Sequence, residues 1–149
     1  MVACGAARPV ATAPTPAPPP VPKVQLAVIP AESDAFPRAA RAISESLAAA
    51  RIRGVDTTAV SKVSLEVVQL SIECVDPSDV CYLAIGRSMA ANRLLFARID
   101  PAKSRKQLRV SVTLYDVDAR TAKRTAEKLC VTEDQAVDGA AALVAEATR

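Results

Sequence analysis

Proline placement constrains this chain more than any other feature. Seven of its eleven prolines fall within residues 1–22, MVACGAARPVATAPTPAPPPVP. Proline fixes φ and removes a backbone donor, so such a stretch favours polyproline II and joins neither a helix nor a sheet. Residues 1–22 are therefore expected to be a disordered Pro/Ala-rich tether, whose proline-rich part reaches on the order of 40 Å at about 3 Å per residue. Residues 23–149 are left for one domain, since about 127 residues do not leave room for two cores.

Within 23–149 the hydrophobic pattern alternates between sheet and helix periods. Lys23 to Pro30 turns from alternating to wholly apolar and reads as a central strand stopped by proline. Phe36, Ala40, Ile43, Leu47 and Ala50 recur at helical spacing, with Ser33 or Asp34 as a possible cap and an end near Arg53-Gly54. Val55 to Val60 is short and β-branched, a strand whose direction the sequence leaves open. Residues 64–75 fit either period: Leu65, Val68, Ile72 and Val75 share a helical face, while Val68, Leu70, Ile72 and Cys74 alternate as in a strand. Helix is favoured, with Ser64 as N-cap.

Asp76-Pro77-Ser78-Asp79 reads as a helix start with Asp76 as cap, Pro77 at N1 and an acid facing the dipole. That helix leads into a strand over 92–100. A basic turn over 101–106 follows, then Gln107 to Asp118, where Leu108, Val110, Val112, Leu114 and Val117 line one side until the register breaks. Lys123 to Val131 is extended. Thr132-Glu133-Asp134 caps a last helix with Ala136, Val137, Ala140, Leu143, Val144 and Ala147 on one stripe. The expected fold is α/β with a single mixed sheet, order β-α-β-α-α-β-β-β-α, ending in a three-strand antiparallel meander. Its helices are expected to pack on one face.

Composition excludes several functions. There is no histidine, which removes the commonest general base near neutrality and rules out Ser–His and Cys–His nucleophile pairs. No paired carboxylate motif replaces it, so the chain reads as non-enzymatic; Asp116 and Asp118 would be the first residues to mutate in testing for an enzyme. With two Phe, two Tyr and no Trp, no platform for stacking bases or sugars can be built. The net charge of +3 is dispersed along the chain. The run Lys103-Ser104-Arg105-Lys106 with Arg109 reads as a solvated loop tip, and no nucleic acid is expected as a partner. No cofactor, metal or small-molecule ligand is expected either.

Met1-Val2-Ala3-Cys4-Gly5 resembles the end of a bacterial lipobox, in which Cys4 would take diacylglycerol and become the mature N-terminus. That reading expects a charged and apolar leader encoded upstream of Met1. It also expects a periplasmic, lipid-anchored chain, on the outer membrane, held by a spacer long enough to clear the headgroups. If the leader is truly absent, the expectation is a cytosolic regulatory or scaffold module with a proline-rich tail.

The element order, together with Ala84 to Ile99 and the turn Leu114-Tyr115-Asp116-Val117-Asp118-Ala119-Arg120-Thr121, resembles the TolB amino-terminal-like domains. These include the penicillin-binding-protein activator lipoproteins. The resemblance spans residues 23–147 and implies a non-catalytic envelope adaptor with a protein partner and no catalytic residues to carry over. Of the cysteines, Cys74 and Cys81 span the junction between the second and third helices, close enough for a disulfide if the domain is periplasmic; in the cytosol both would be reduced core residues. A spacing of six without histidine argues against zinc. Cys130 is expected to be a buried free thiol.

Overall fold

The computed structural model describes residues 17–74 and 76–149. Cys4, most of the 1–22 segment and Val75 lie outside the described residues. The elements run β1 Gln25–Ile29, α1 Pro37–Ala49, β2 Thr57–Val60, α2 Leu65–Ser71, α3 Asp79–Ser88, β3 Arg93–Pro101, β4 Leu108–Asp116, β5 Thr121–Cys130 and α4 Glu133–Thr148. They form one mixed sheet in the order β2-β1-β3-β4-β5. β1 lies parallel to both β2 and β3, and β3, β4 and β5 make the antiparallel meander.

Helices cover both faces of the sheet, not one. Leu26 and Val28 of β1 pack with α1, α4 and the Leu108–Leu114 stripe of β4. Ala27 and Ile29 pack the other way, with Leu65 and Val68 of α2 and Cys81 and Ile85 of α3. A strand sandwiched between helical layers has no solvent face, which is why β1 is apolar at every position from Leu26 to Ile29. Val117 belongs to this second layer with Tyr115, whereas the alternation of β4 had put it with Leu114; the strand ends at Asp116 and its pattern ends with it.

Segment 64–75 is helical in its first part. Leu65 and Val68 bury against β1, and Ser64 takes the N-cap position without making the side-chain bond of a cap. Its hydroxyl is buried with no partner. α3 begins later than Asp76-Pro77 suggests: Ser78 is the cap, its Oγ accepting from Cys81 N at 3.3 Å. A serine in extended conformation reaches the N3 amide by itself, so Pro77 falls before the cap and Asp79 becomes N1.

α1 and α4 lie side by side on one face with their N-termini together. Neither Ser33 nor Asp34 caps α1. The cap residue is Phe36, which has no side-chain oxygen to offer; the amides of Arg38 and Ala39 donate instead to Glu133 Oε1 of α4, at 2.7 and 3.1 Å. Arg38 closes the arrangement on Glu133 and Asp134, at 3.3 and 2.8 Å.

Candidate functional site

The polar side chains that a catalytic reading would use are committed to structure. Asp116 Oδ1 accepts from Ala119 N at 2.9 Å, an Asx turn that shapes the β4–β5 connection. Asp118 Oδ2 accepts from Asn92 Nδ2 at 3.1 Å, and Asn92 Oδ1 accepts in turn from Gln25 N at 3.0 Å. The two carboxylates therefore pin the end of the sheet where β1 and β3 begin.

Three of the four aromatic rings form one cluster. Tyr82 lies 4.9 Å from Phe96 and 5.1 Å from Tyr115, centroid to centroid. Phe96 and Tyr115 are buried and Tyr82 is half-buried against them. Tyr115 Oη donates to Asp79 Oδ1 at 3.0 Å. Burial, and then the Asp79 carboxylate, push the Tyr115 phenol up to about 12. Burial likewise raises Tyr82 and the Cys130 thiol. Arg38 is raised by its bond to Asp134. All four shifts move away from neutrality, opposite to what an acid–base catalyst at pH 7 needs. Among the described residues no cluster of His, Cys, Asp and Glu is placed to hold a metal ion.

Of the residues singled out from the sequence, Cys74 and Cys81 are joined by a disulfide, with Cα atoms 5.7 Å apart. The bridge ties the end of the α2 segment to the first turn of α3. Cys130 is buried and free. Cys4 lies outside the described residues. The basic run 103–106 sits on the tip between β3 and β4, exposed at Lys103, Arg105 and Lys106.

Two surfaces escaped the sequence reading. One is α2 with the loop that precedes it, where Val63, Val67 and Leu70 are exposed, Leu70 at 74 %. Apolar residues gathered this closely on a surface are the usual mark of a protein contact. The signal lay in plain view: segment 64–75 has apolar residues on both helical faces, more than one buried stripe can use. The other surface is a basic cleft at the end of the sheet where β1 enters, lined by Arg53, Arg93, Lys123, Arg124 and Arg149.

No family model matches the sequence, and no curated protein does. Similar solved structures include the C-terminal domain of LpoB from Salmonella enterica, with 13 % identity over 72 % of this chain and 82 % of that one, at a TM-score of 0.43. A PelC dodecamer from Paraburkholderia phytofirmans is 15 % identical over 84 % of this chain and 85 % of its own, at 0.42. TolB from Acinetobacter baumannii is 13 % identical over 86 % of this chain but only 29 % of its own, also at 0.42. The resemblance to TolB-like domains thus stands at the level of distantly similar structures, and likeness of this degree carries no function across.

Proposed function

We propose that this chain is a non-catalytic envelope adaptor: a periplasmic interaction domain held to a bacterial membrane, the outer one, by a lipid on Cys4 and a proline-rich spacer. The observation that carries the reading is the bridged pair Cys74–Cys81, because disulfides persist in oxidising compartments and are rare in the cytosol. Cys4, preceded by Val2-Ala3 and followed by Gly5, supplies the attachment chemistry. Among the described residues no helix is long and apolar enough to cross a bilayer.

The upward shifts of Tyr82, Tyr115 and Cys130 and the structural use of Asp116 and Asp118 support the non-catalytic part. The apolar surface of α2 and the loop before it supports a protein partner, since single exposed apolar residues are ordinary but Val63, Val67 and Leu70 together are not. The test is metabolic labelling of the full-length gene product with a fatty-acid analogue. The expected result is a label that disappears in Cys4→Ala, and an unlabelled wild type would refute the anchor.

A further inference from the structure

The cations of the cleft are far apart in sequence and brought together by the fold. Arg53 follows α1, Arg93 opens β3, and Lys123 and Arg124 stand near the start of β5. A regular strand would point the last two to opposite faces. Here the β4–β5 register slips between Leu114 and Tyr115: Leu114 pairs with Arg124 and Tyr115 with Ala122, so Lys123 is the extra residue of a bulge. Bulges re-aim side chains, and both Lys123 and Arg124 line the cleft, whose volume is about 330 Å³. Gly54, at φ +76°, turns the chain beside them; a Cβ there would lie 4.0 Å from Arg93 Nη1.

Part of this charge has structural work. Arg93 Nη1 donates to the Arg53 carbonyl at 3.4 Å and Arg124 Nη1 to the Glu146 carbonyl at 3.2 Å. The cleft also sits at the C-terminal ends of α1 and α4, each worth about half a negative charge. Asp116 is 3.6 Å from Lys123, and Asp56 nearby accepts from Val24 N at 2.7 Å. Two helix ends, Asp116 and Asp56 offset about three of the five cations, Arg53, Arg93, Lys123, Arg124 and Arg149. The rest is uncompensated and open to solvent.

The cleft lies where the chain enters the domain. Val24 O accepts from Asp56 N, and Gln25 O from Asn92 N, next to Arg93, both at 2.9 Å. The segment that leads back to Cys4 leaves from this basic end. We propose that the cleft binds phosphate-bearing anions, and specifically the headgroups of acidic phospholipids in the membrane to which the chain is tethered. The proposal rests on the anchoring reading for its choice of lipid over free phosphate. The diacylglycerol on Cys4 already gives two acyl chains for anchoring, so the cleft would serve to orient the tethered domain on the acidic headgroups rather than to hold the chain there.

The test uses the full chain carrying Cys4→Ala, so that no acyl group contributes. Co-flotation is measured with vesicles of phosphatidylglycerol in phosphatidylcholine and with phosphatidylcholine alone. Binding to the acidic vesicles only is expected, weakening as salt rises. Each cation near an acidic surface is worth roughly five-fold in binding, so Arg53→Gln/Lys123→Gln should weaken flotation by roughly 25-fold. Lys103→Gln/Lys106→Gln, with the same charge change at the opposite end of the sheet, should weaken it by no more than about three-fold. Equal losses in the two doubles, no loss in either, or no preference for acidic vesicles would overturn the proposal. So would saturable binding of inorganic phosphate that abolishes flotation at constant ionic strength, since the site would then be one for a free anion. Because Cys4 is alanine throughout, these outcomes are independent of the labelling result that tests the anchor.

Discussion

Reducing the Cys74–Cys81 bridge should loosen the domain by a predictable amount without unfolding it. The bridge spans seven positions, and closing a loop of that length removes about 2.4 kcal/mol of chain entropy from the unfolded state at 25 °C. The native state supplies little reason for the figure to grow. α2 stays seated through Leu65 and Val68, and α3 through Cys81 and Ile85, both against β1 and β3. For a domain of this size about 2.4 kcal/mol corresponds to a fall in Tm of roughly 7–12 °C. The assay is chemical and thermal unfolding of one preparation before and after mild reduction, with alkylation and mass spectrometry to count the thiols released. The midpoint should fall while the denaturant slope stays the same, since the surface exposed on unfolding barely changes. Oxidised and reduced samples that melt together would refute the reasoning, and with it the strongest support for an oxidising compartment.

Other expectations follow from single contacts. Glu133→Ala removes the acceptor for two α1 amides and the partner of Arg38, and should cost about 1–2 kcal/mol in urea unfolding; Glu133→Gln, which keeps an oxygen acceptor, should cost less than half of that. Gly86→Ala would set a methyl against Val117, 2.7 Å from Cγ1, and should destabilise by about 1–3 kcal/mol, with Val117→Ala in the same chain recovering part of the loss. Tyr115 has a folded pKa of about 12 against an ordinary 10. The folded state therefore holds its proton more tightly, so stability should be intact below pH 10 and fall as pH rises toward 12. Tyr115→Phe should flatten that part of the profile measured by denaturant unfolding at each pH. Leu70→Ser, at 74 % exposure, should leave the unfolding midpoint within about 0.5 kcal/mol.

Much of the sheet could be read from period alone. β4 carries the clearest alternation, and its four apolar side chains from Leu108 to Leu114 all enter one layer. The side on which each helix packs was harder, because an amphipathic stripe says that a helix has a buried face and not which face of the sheet receives it. The clue is in β1: a strand apolar at four consecutive positions, Leu26 to Ile29, needs cover on both sides. The cap of α3 is Ser78 rather than Asp76 because Asp76, Ser78 and Asp79 are all competent capping residues and only the backbone decides among them. Segment 64–75 was ambiguous for a related reason. Its surplus apolar residues satisfied both periods at once, and the surplus is what α2 now shows to solvent at Val67 and Leu70.

The charge pattern was misleading in a more instructive way. Cations spread evenly along the sequence suggested no focused patch, yet a parallel arrangement of α1 and α4 imposes one. Two helix N-termini placed side by side concentrate positive potential at one end of the layer, which Glu133 and Asp134 answer. Their C-termini concentrate negative potential at the other, answered by Arg51 on the Ala49 and Ala50 carbonyls and by Arg124 on Glu146. A fold of this topology therefore requires some basic residues near the start of β1, whatever its function. What the topology does not require is Lys123 turned by a bulge into the same cleft as Arg124, with Arg53 and Arg93 beside them. The two helix ends call for about one positive charge, and the cleft holds more. That excess, at the end of the domain where β1 begins, is the part of the charge pattern that stability leaves unexplained and that an anionic surface would use.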